Sequence, residues 1–429
     1  MRITAYKVAG LTTLSHLSKL IIGLLILKQL ALVQGPQGMG FLGNFMSLVA
    51  IATSLAGGGI ISGIIKYLAE YTGNPKRQQQ FIQNAFFYTI LCSLLIILLG
   101  YSGLDAITHY VFGDSRYQMY ILYFLGAQVL IAFNNFAFGV ANGLGKNQYY
   151  AMMIVVGNSI AIVVAYFAIR FGGMTGAVIA ILAPVVLPFI PACGYCIKAG
   201  FFSSWRGASF FTDANLLSRY SVMLLTTAFC FPFVEMIIRH RIIAIIGIDA
   251  AGYWQVVTRL SLAYLSFFSL FLSFYLLPAL SAAKEKSQIM AALRPVFFGI
   301  GGIFLLMIGI FWAARGRIIL LTLSDAFIGV SHWMVLQMVG DFFRVLSWMA
   351  GIFLIAKAHT ALYIITEIVQ GALFLGLSYW LIPYYASLDG VMLAYLLTYI
   401  GYFFAAWGLF FYLYRVQVRH ESDCCSNLL

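Results

Sequence analysis

The sequence is short of charged residues. Only 9% of its 429 residues are Asp, Glu, Lys or Arg, whereas soluble domains carry roughly 25%. Hydrophobic residues make up 62% of the chain. This balance excludes a string of soluble domains and predicts a polytopic membrane protein with little mass outside the bilayer.

Acidic residues are scarcer than basic ones, with 13 against 25, and the net charge is +12. The basic residues are spread one or two per loop. A nucleic-acid interface would cluster them on one face, so we expect no nucleic-acid partner. The six cysteines form no paired framework, which predicts no disulfides. Cys193 and Cys196 form a CxxC without a second pair or a nearby His, so we expect neither a metal nor a cofactor.

Apolar segments long enough to cross a bilayer, for which a helix needs ~20 residues, recur twelve times along the chain. The longest connection, Ala199–Asn215, separates the sixth segment from the seventh. We therefore predict an all-α integral membrane protein with twelve transmembrane helices in two six-helix lobes. The predicted parts are an N-terminal lobe at 1–199, a cytoplasmic linker at 200–215, a C-terminal lobe at 216–415 and a cytoplasmic tail at 416–429.

Three landmarks occur twice, 211 to 214 residues apart. They are Gly40 and Gly252, Lys146 and Lys357, and Gly176 and Gly390. A near-constant offset predicts an internal repeat. Because each predicted lobe has an even number of spans, the repeat would be parallel, and such repeats place a substrate site at the lobe interface.

The distribution of Lys and Arg predicts the orientation. Fifteen of the 25 fall in segments on the side of the N-terminus and six on the opposite side. Because cytoplasmic loops carry the excess of positive charge, we expect both termini in the cytoplasm.

The segment Leu336–Lys357 is apolar enough to span a membrane, yet it carries Asp341 and Arg344 near its middle. The two are three residues apart and share one helical face. A charge at mid-membrane costs ~2.5–3.5 kcal/mol on insertion scales. A local ion pair is one interpretation; a cavity-facing role is the one we favour.

Other charges lie inside predicted spans. Lys19 lies near the middle of the first span, where it can face a cavity or snorkel, and Lys28 lies near its outer end. Glu235 and Arg259 flank a short outer turn, where Glu235 can also reach Arg239. These groups form either a structural ion pair or part of a site.

The remaining membrane carboxylate is Glu367. It is a candidate proton carrier or a protonated core residue. A cavity lined by Lys and Arg favours an anionic ligand, because the planar fork of Arg binds two phosphate oxygens. We find no catalytic constellation, which disfavours a membrane enzyme such as a polysaccharide polymerase or ligase.

Six stretches together resemble the Wzx-type polysaccharide flippases of the multidrug, oligosaccharidyl-lipid and polysaccharide exporter superfamily. No single stretch is specific, but the ordered set covers nearly the whole chain. The stretches are Gly35–Phe45, Leu55–Tyr71, Phe171–Ala177, Tyr275–Ser281, Leu336–Val345 and Ile355–Gln370.

The resemblance implies a V-shaped exporter in the bacterial inner membrane. It would move an oligosaccharide linked to undecaprenyl diphosphate from the cytoplasmic to the periplasmic leaflet by alternating access. A polysaccharide polymerase and a chain-length regulator are candidate partners, besides membrane lipids. The expected substrate-binding residues are Lys19, Arg259, Arg344, Lys28 and Arg239, and the expected ion-coupling residues are Asp341, Glu235 and Glu367.

The charges around Glu235 and Arg259 depart from the family pattern, which has an uncharged aromatic and a small polar residue at these positions. Leu262 stands where the pattern has Asp. These departures leave the glycan open between an O-antigen unit and an enterobacterial common-antigen unit. The alternative function is multidrug export within the same superfamily.

Overall fold

The computed structural model describes residues 2–201, 213–283, 285–357 and 359–426, and within these ranges the chain is helical without any strand. The helices are α1 (Arg2–Leu55), α2 (Ile61–Glu70), α3 (Pro75–Ser102), α4 (Leu104–Phe112), α5 (Gln118–Gly143), α6 (Asn147–Phe171), α7 (Gly173–Val186), α8 (Phe189–Lys198), α9 (Ala214–Ile245), α10 (Ile248–Phe271), α11 (Leu277–Ala282), α12 (Lys286–Thr322), α13 (Val330–Ala356), α14 (Thr360–Tyr385) and α15 (Leu388–Ser426). The prediction of an all-α protein is confirmed.

Ten segments of the described chain are long and apolar enough to cross a membrane, compared with the twelve predicted. One of the ten, Thr13–Glu70, has 58 residues, whereas a single crossing needs ~20. Inside it Gly35 adopts φ 63° and ψ −171°, a conformation that interrupts the helix immediately before Pro36. The other difference is α9, which lies partly outside the described side chains and is not among the ten.

The same long segment is broken a second time, between α1 and α2. Gly57, Gly58 and Gly59 all have positive φ, a region that glycine reaches without steric cost. A helix broken inside a membrane leaves backbone carbonyls that need donors. The side-chain amide of Asn135 donates to two of them, Thr53 O at 2.8 Å and Ala56 O at 3.3 Å.

Internal packing divides the chain into two units, Met1–Met236 and Ile237–Leu429. The first unit therefore includes most of α9. The lobe bounds predicted from the sequence, 1–199 and 216–415, stay a prediction. The start of α9 is held by Asp213, which is buried and accepts from Arg77 at 2.5 Å and from Asn84 at 2.8 Å. Leu217 follows in the same helix and packs into the hydrophobic core of α2 and α3.

The second unit is organised around α13, which packs against α10, α12, α14 and α15. Fourteen residues of α13 are buried, among them the polar side chains of Gln337, Asp341 and Ser347. A membrane helix with buried polar groups must find their partners on its neighbours. Polar side chains of α10 and α15 supply such partners to α13.

Close packing of α7 on α6 depends on Gly176. A Cβ atom at this position would lie 1.8 Å from the backbone oxygen of Ala168. We predict that Gly176→Ala destabilises the protein by roughly 1–3 kcal/mol, the usual range for overpacking, and lowers its melting temperature in detergent. Gly194→Ala is the control, because no atom lies within 4 Å of the added Cβ and alanine favours a helix. Equal melting temperatures for the two variants would contradict this packing.

Candidate functional site

The carboxylate of Asp341 is fully buried in the second unit. It accepts three hydroxyl hydrogen bonds from two other helices. Ser261 Oγ and Tyr395 Oη donate at 2.5 Å each, and Tyr264 Oη donates through a further short contact. Three donors on one carboxylate offset much of the cost of removing it from water.

Arg344 lies one helical turn from Asp341 on α13, and a tyrosine joins the two. The Nη1 atom of Arg344 donates to Tyr395 Oη at 3.0 Å, while that hydroxyl donates to Asp341. The guanidinium also lies 5.1 Å from the ring centre of Tyr399 and 5.5 Å from that of Trp348. These aromatic faces stabilise a cation that has left water.

Glu367 and Gln370, both on α14, extend this cluster. Gln370 is buried, and its side-chain nitrogen donates to Tyr399 Oη at 2.7 Å. The charge of Arg344 acts electrostatically on Glu367, which is half-buried. The structure thus joins Asp341 and Arg344 through Tyr395 and places Glu367 within range of the charge of Arg344, all within the second unit.

Two further predicted arginines lie at or near α10. Arg239 is fully buried; its Nη2 atom donates to Gln255 Oε1 at 2.5 Å, and its guanidinium lies 5.2 Å from the ring centre of Trp254. Arg259 is half-buried and follows Gln255 by one helical turn. Both arginines belong to the second unit.

The first unit contains the other three predicted residues. Lys19 is exposed and lines a cavity of about 190 Å³. Lys28 is half-buried, nine residues further along α1, and Glu235 is buried on α9. Lys19 and Lys28 lie on α1, whereas Glu235 lies on α9.

The hydroxyl and amide partners of the charged residues were not among the residues predicted from the sequence. These are Ser261, Tyr264, Gln370, Tyr395 and Tyr399. One signal was available, because Tyr395 and Tyr399 are four residues apart and share a face of α15.

Another cavity of the first unit, with a volume of about 860 Å³, is larger than the one beside Lys19 and is apolar. Its lining comes from α1, α3, α4, α5 and α9, and none of the described residues that line it is Lys, Arg, Asp or Glu. The part of this lining that the structure describes therefore offers no charged side chain to a phosphate.

The network predicts a structural role for the hydroxyl of Tyr395. Removing it in Tyr395→Phe deprives Asp341 of a donor and Arg344 of an acceptor, which should cost roughly 1–3 kcal/mol. Thermal unfolding in detergent measures this. Tyr195→Phe is the matched control, since Tyr195 is buried and its hydroxyl has no hydrogen-bond partner in the described part of the chain. If both variants unfold at the wild-type temperature, Tyr395 does not hold the network together.

The chain matches one protein-family model and two relatives of known name over most of its length. The family model described as "Polysaccharide biosynthesis protein" matches residues 6–284. The chain is 32% identical over 406 residues to the Lipid III flippase of Escherichia coli (strain K12), covering 93% of this chain and 96% of that protein. The Lipid III flippase of Shigella flexneri gives the same values.

Two solved structures share the fold. One is the inward-facing conformation of a multidrug resistance MATE family transporter of the MOP superfamily, with a TM-score of 0.72 and 16% identity, covering 94% of this chain and 96% of that one. The other is the lipid II flippase MurJ in an inward closed conformation, with a TM-score of 0.69 and 14% identity, covering 94% and 87%. At these identities the likeness concerns the fold alone. The resemblance expected from the sequence motifs is confirmed, and the chain belongs to the polysaccharide biosynthesis protein family.

Proposed function

We propose that this protein is a flippase for a lipid-linked oligosaccharide. It would move an undecaprenyl-diphosphate-linked repeat unit from the cytoplasmic to the periplasmic leaflet by alternating access, as a transporter without catalytic residues. The observation that carries the proposal is the 32% identity to the Lipid III flippase of Escherichia coli over nearly the full length of both chains.

The proposed architecture is twelve crossings in two six-helix lobes, with bounds at 1–199, 200–215, 216–415 and 416–429. The length of Thr13–Glu70, together with its break at Gly35, supports two crossings there. The repeat is supported by Gly176 and Gly390, which both approach a backbone oxygen of the preceding helix. An added Cβ would lie 1.8 Å from one such oxygen and 2.5 Å from the other. We place the protein in the bacterial inner membrane with both termini in the cytoplasm.

The proposed substrate-binding groups are cations, because a diphosphate is an anion that guanidinium and ammonium groups bind. They are Lys19, Lys28, Arg239, Arg259 and Arg344. Lys19 is exposed, while Arg259 and Arg344 are half-buried. These cations suit a diphosphate better than the positively charged drugs of a multidrug exporter.

The proposed ion-coupling groups are Asp341, Glu235 and Glu367. Asp341 is the strongest of the three, because hydroxyls surround it and Arg344 reaches it through Tyr395. A proton taken up by Asp341 would neutralise the carboxylate to which the Tyr395 hydroxyl donates. The hydrogen bond from Arg344 to the same hydroxyl would then weaken. In this way proton binding would be coupled to a substrate-binding cation. A polysaccharide polymerase and a chain-length regulator are proposed partners.

Complementation tests the function and narrows the glycan. One host would lack its common-antigen flippase and another its O-antigen flippase, and surface glycan would be measured after expression of this protein. We expect one of the two hosts to regain its glycan. Rescue of neither, with the protein present in the membrane and conferring drug efflux, would support the multidrug exporter instead.

Charge removal tests the proposed cations in the complemented host. Lys19→Gln and Arg344→Gln should each abolish surface glycan at normal expression, whereas Arg344→Lys, which keeps the charge, should retain part of it. Lys146→Gln is the control, because Lys146 is exposed in the connection that follows α5. Normal glycan in both Gln variants would exclude these residues from the site.

A further inference from the structure

Gln337 is a buried amide on α13, beside the charged residues of that helix. Its side chain is 1% exposed, and it precedes Asp341 by four residues, so the two lie on the same face of the helix. Its Nε2 atom donates a hydrogen bond to Ser261 Oγ on α10 at 3.4 Å. Ser261 Oγ donates in turn to Asp341 Oδ2 at 2.5 Å. A chain of two hydrogen bonds therefore leads from the amide to the carboxylate.

Ser261 departs from the usual behaviour of a buried serine or threonine in a helix. Such hydroxyls commonly donate to the carbonyl one turn earlier in their own helix. In this protein Ser93, Ser347 and Thr398 all do so, at 2.7 Å each. Ser261 instead donates across to α13. The contacts around its oxygen decide between these two directions.

The amide nitrogen of Gln337 holds the Ser261 hydroxyl in the direction that serves Asp341. A serine hydroxyl has one proton and two lone pairs, whereas an amide nitrogen only donates. Because Gln337 Nε2 donates to the oxygen of Ser261, the hydroxyl proton is directed at the carboxylate. A rotation that took this oxygen back toward its own helix would move it away from both of its partners on α13.

Tyr395 is oriented in the same way from the other side of Asp341. Arg344 Nη1 donates to its hydroxyl at 3.0 Å, and that hydroxyl donates to Asp341. Gln337 lies four residues before Asp341, and Arg344 lies three residues after it. One face of α13 thus carries the carboxylate together with two nitrogen donors, which direct hydroxyls of α10 and α15 back onto it. Gln337 is the neutral donor of the two.

Several ionisable groups surround Asp341 besides these donors. Arg344 acts from α13, and Glu367 lies on α14 within range of the Arg344 charge. On the side of α12 the ring of Phe304 packs on Tyr264, with 5.9 Å between ring centres. The tyrosines of α10 and α15 near the carboxylate are Tyr264, Tyr395 and Tyr399. Replacing a neutral amide leaves all of these groups in place, so a change in proton uptake would report the amide itself.

Building on the proposed flippase function and the coupling role of Asp341 within it, we propose that Gln337 is a positioning residue that sets the pH at which Asp341 takes up its proton. By keeping the Ser261 hydroxyl on the carboxylate, the amide stabilises the ionised form, which a donated hydrogen bond favours. Without the amide, Asp341 would take up its proton at a higher pH. Proton uptake on α13 then depends on how α10 presents its hydroxyl.

Infrared difference spectroscopy on the full-length protein in liposomes tests this role. The carboxyl band of protonated Asp341 is identified by its loss in Asp341→Asn, and its intensity is followed as the pH is lowered. Gln337→Met keeps a long unbranched side chain and removes the donor. We expect the pH midpoint of the band to rise by roughly half a unit to one unit, or about three- to tenfold in proton affinity.

The dependence on Ser261 is tested by a double-mutant cycle. Ser261→Ala removes the hydroxyl through which the amide acts and should raise the midpoint on its own. Adding Gln337→Met to Ser261→Ala should then leave the midpoint where it is, because no hydroxyl remains to be oriented. A side chain that only fills space would alter stability without moving the midpoint.

Gln128→Met is the matched control, since Gln128 is a fully buried amide on α5 of the first unit. Its midpoint should equal that of the wild type. Gln337→Leu takes the place of Gln337→Met if that variant does not fold. An unchanged midpoint in the Gln337 variant, or a further rise when it is added to Ser261→Ala, would overturn the proposal.

Lipid movement is measured on the same liposomes with a fluorescent oligosaccharide on undecaprenyl diphosphate, so that the two proposals are tested separately. A shifted midpoint in a protein that leaves this lipid in its original leaflet would support the role of Gln337 and contradict the flippase function. Lipid movement by the wild type together with an unshifted midpoint in the Gln337 variant would do the reverse.

Discussion

The constraint on which this structure depends is that a charge or a free carbonyl inside a membrane must have a partner. Asp341 illustrates it most clearly. Its carboxylate is fully buried, and hydroxyls from α10 and α15 converge on it. Because those helices supply the donors, the position of α13 between them is tied to the charge state of one side chain. A proton arriving at Asp341 would change the packing requirements of three helices.

In the first unit, side-chain amides supply the hydrogen-bond donors that free backbone carbonyls need. The breaks that follow Leu55 and Val186 expose carbonyls, and Asn134 and Asn135 donate to them. Using the nitrogens in this way leaves the oxygen of Asn134 directed elsewhere without a partner in the described chain. The same two side chains also line the cavity beside Lys19.

Much of this could be predicted from sequence, for physical reasons. The scarcity of charge requires a membrane protein, and a three-residue spacing places Asp341 and Arg344 on one face whatever the tertiary structure. The partners could not be predicted, because Tyr395 lies 54 residues from Asp341 and Ser261 lies 80 residues away. Helical periodicity orders residues within one helix and carries no information about which helices become neighbours. The break at Gly57–Gly59 depends on backbone angles that periodicity does not reveal either.

Transport by the purified protein in sealed vesicles tests the flippase function and the coupling role of Asp341 together. A fluorescent oligosaccharide on undecaprenyl diphosphate would be followed between leaflets by its accessibility to an external quencher, with and without a proton gradient. We expect the wild type to move the lipid, a gradient to accelerate the movement, and Asp341→Asn to lose the acceleration. A wild-type protein that leaves the lipid in its original leaflet while transporting a cationic dye would contradict the flippase function.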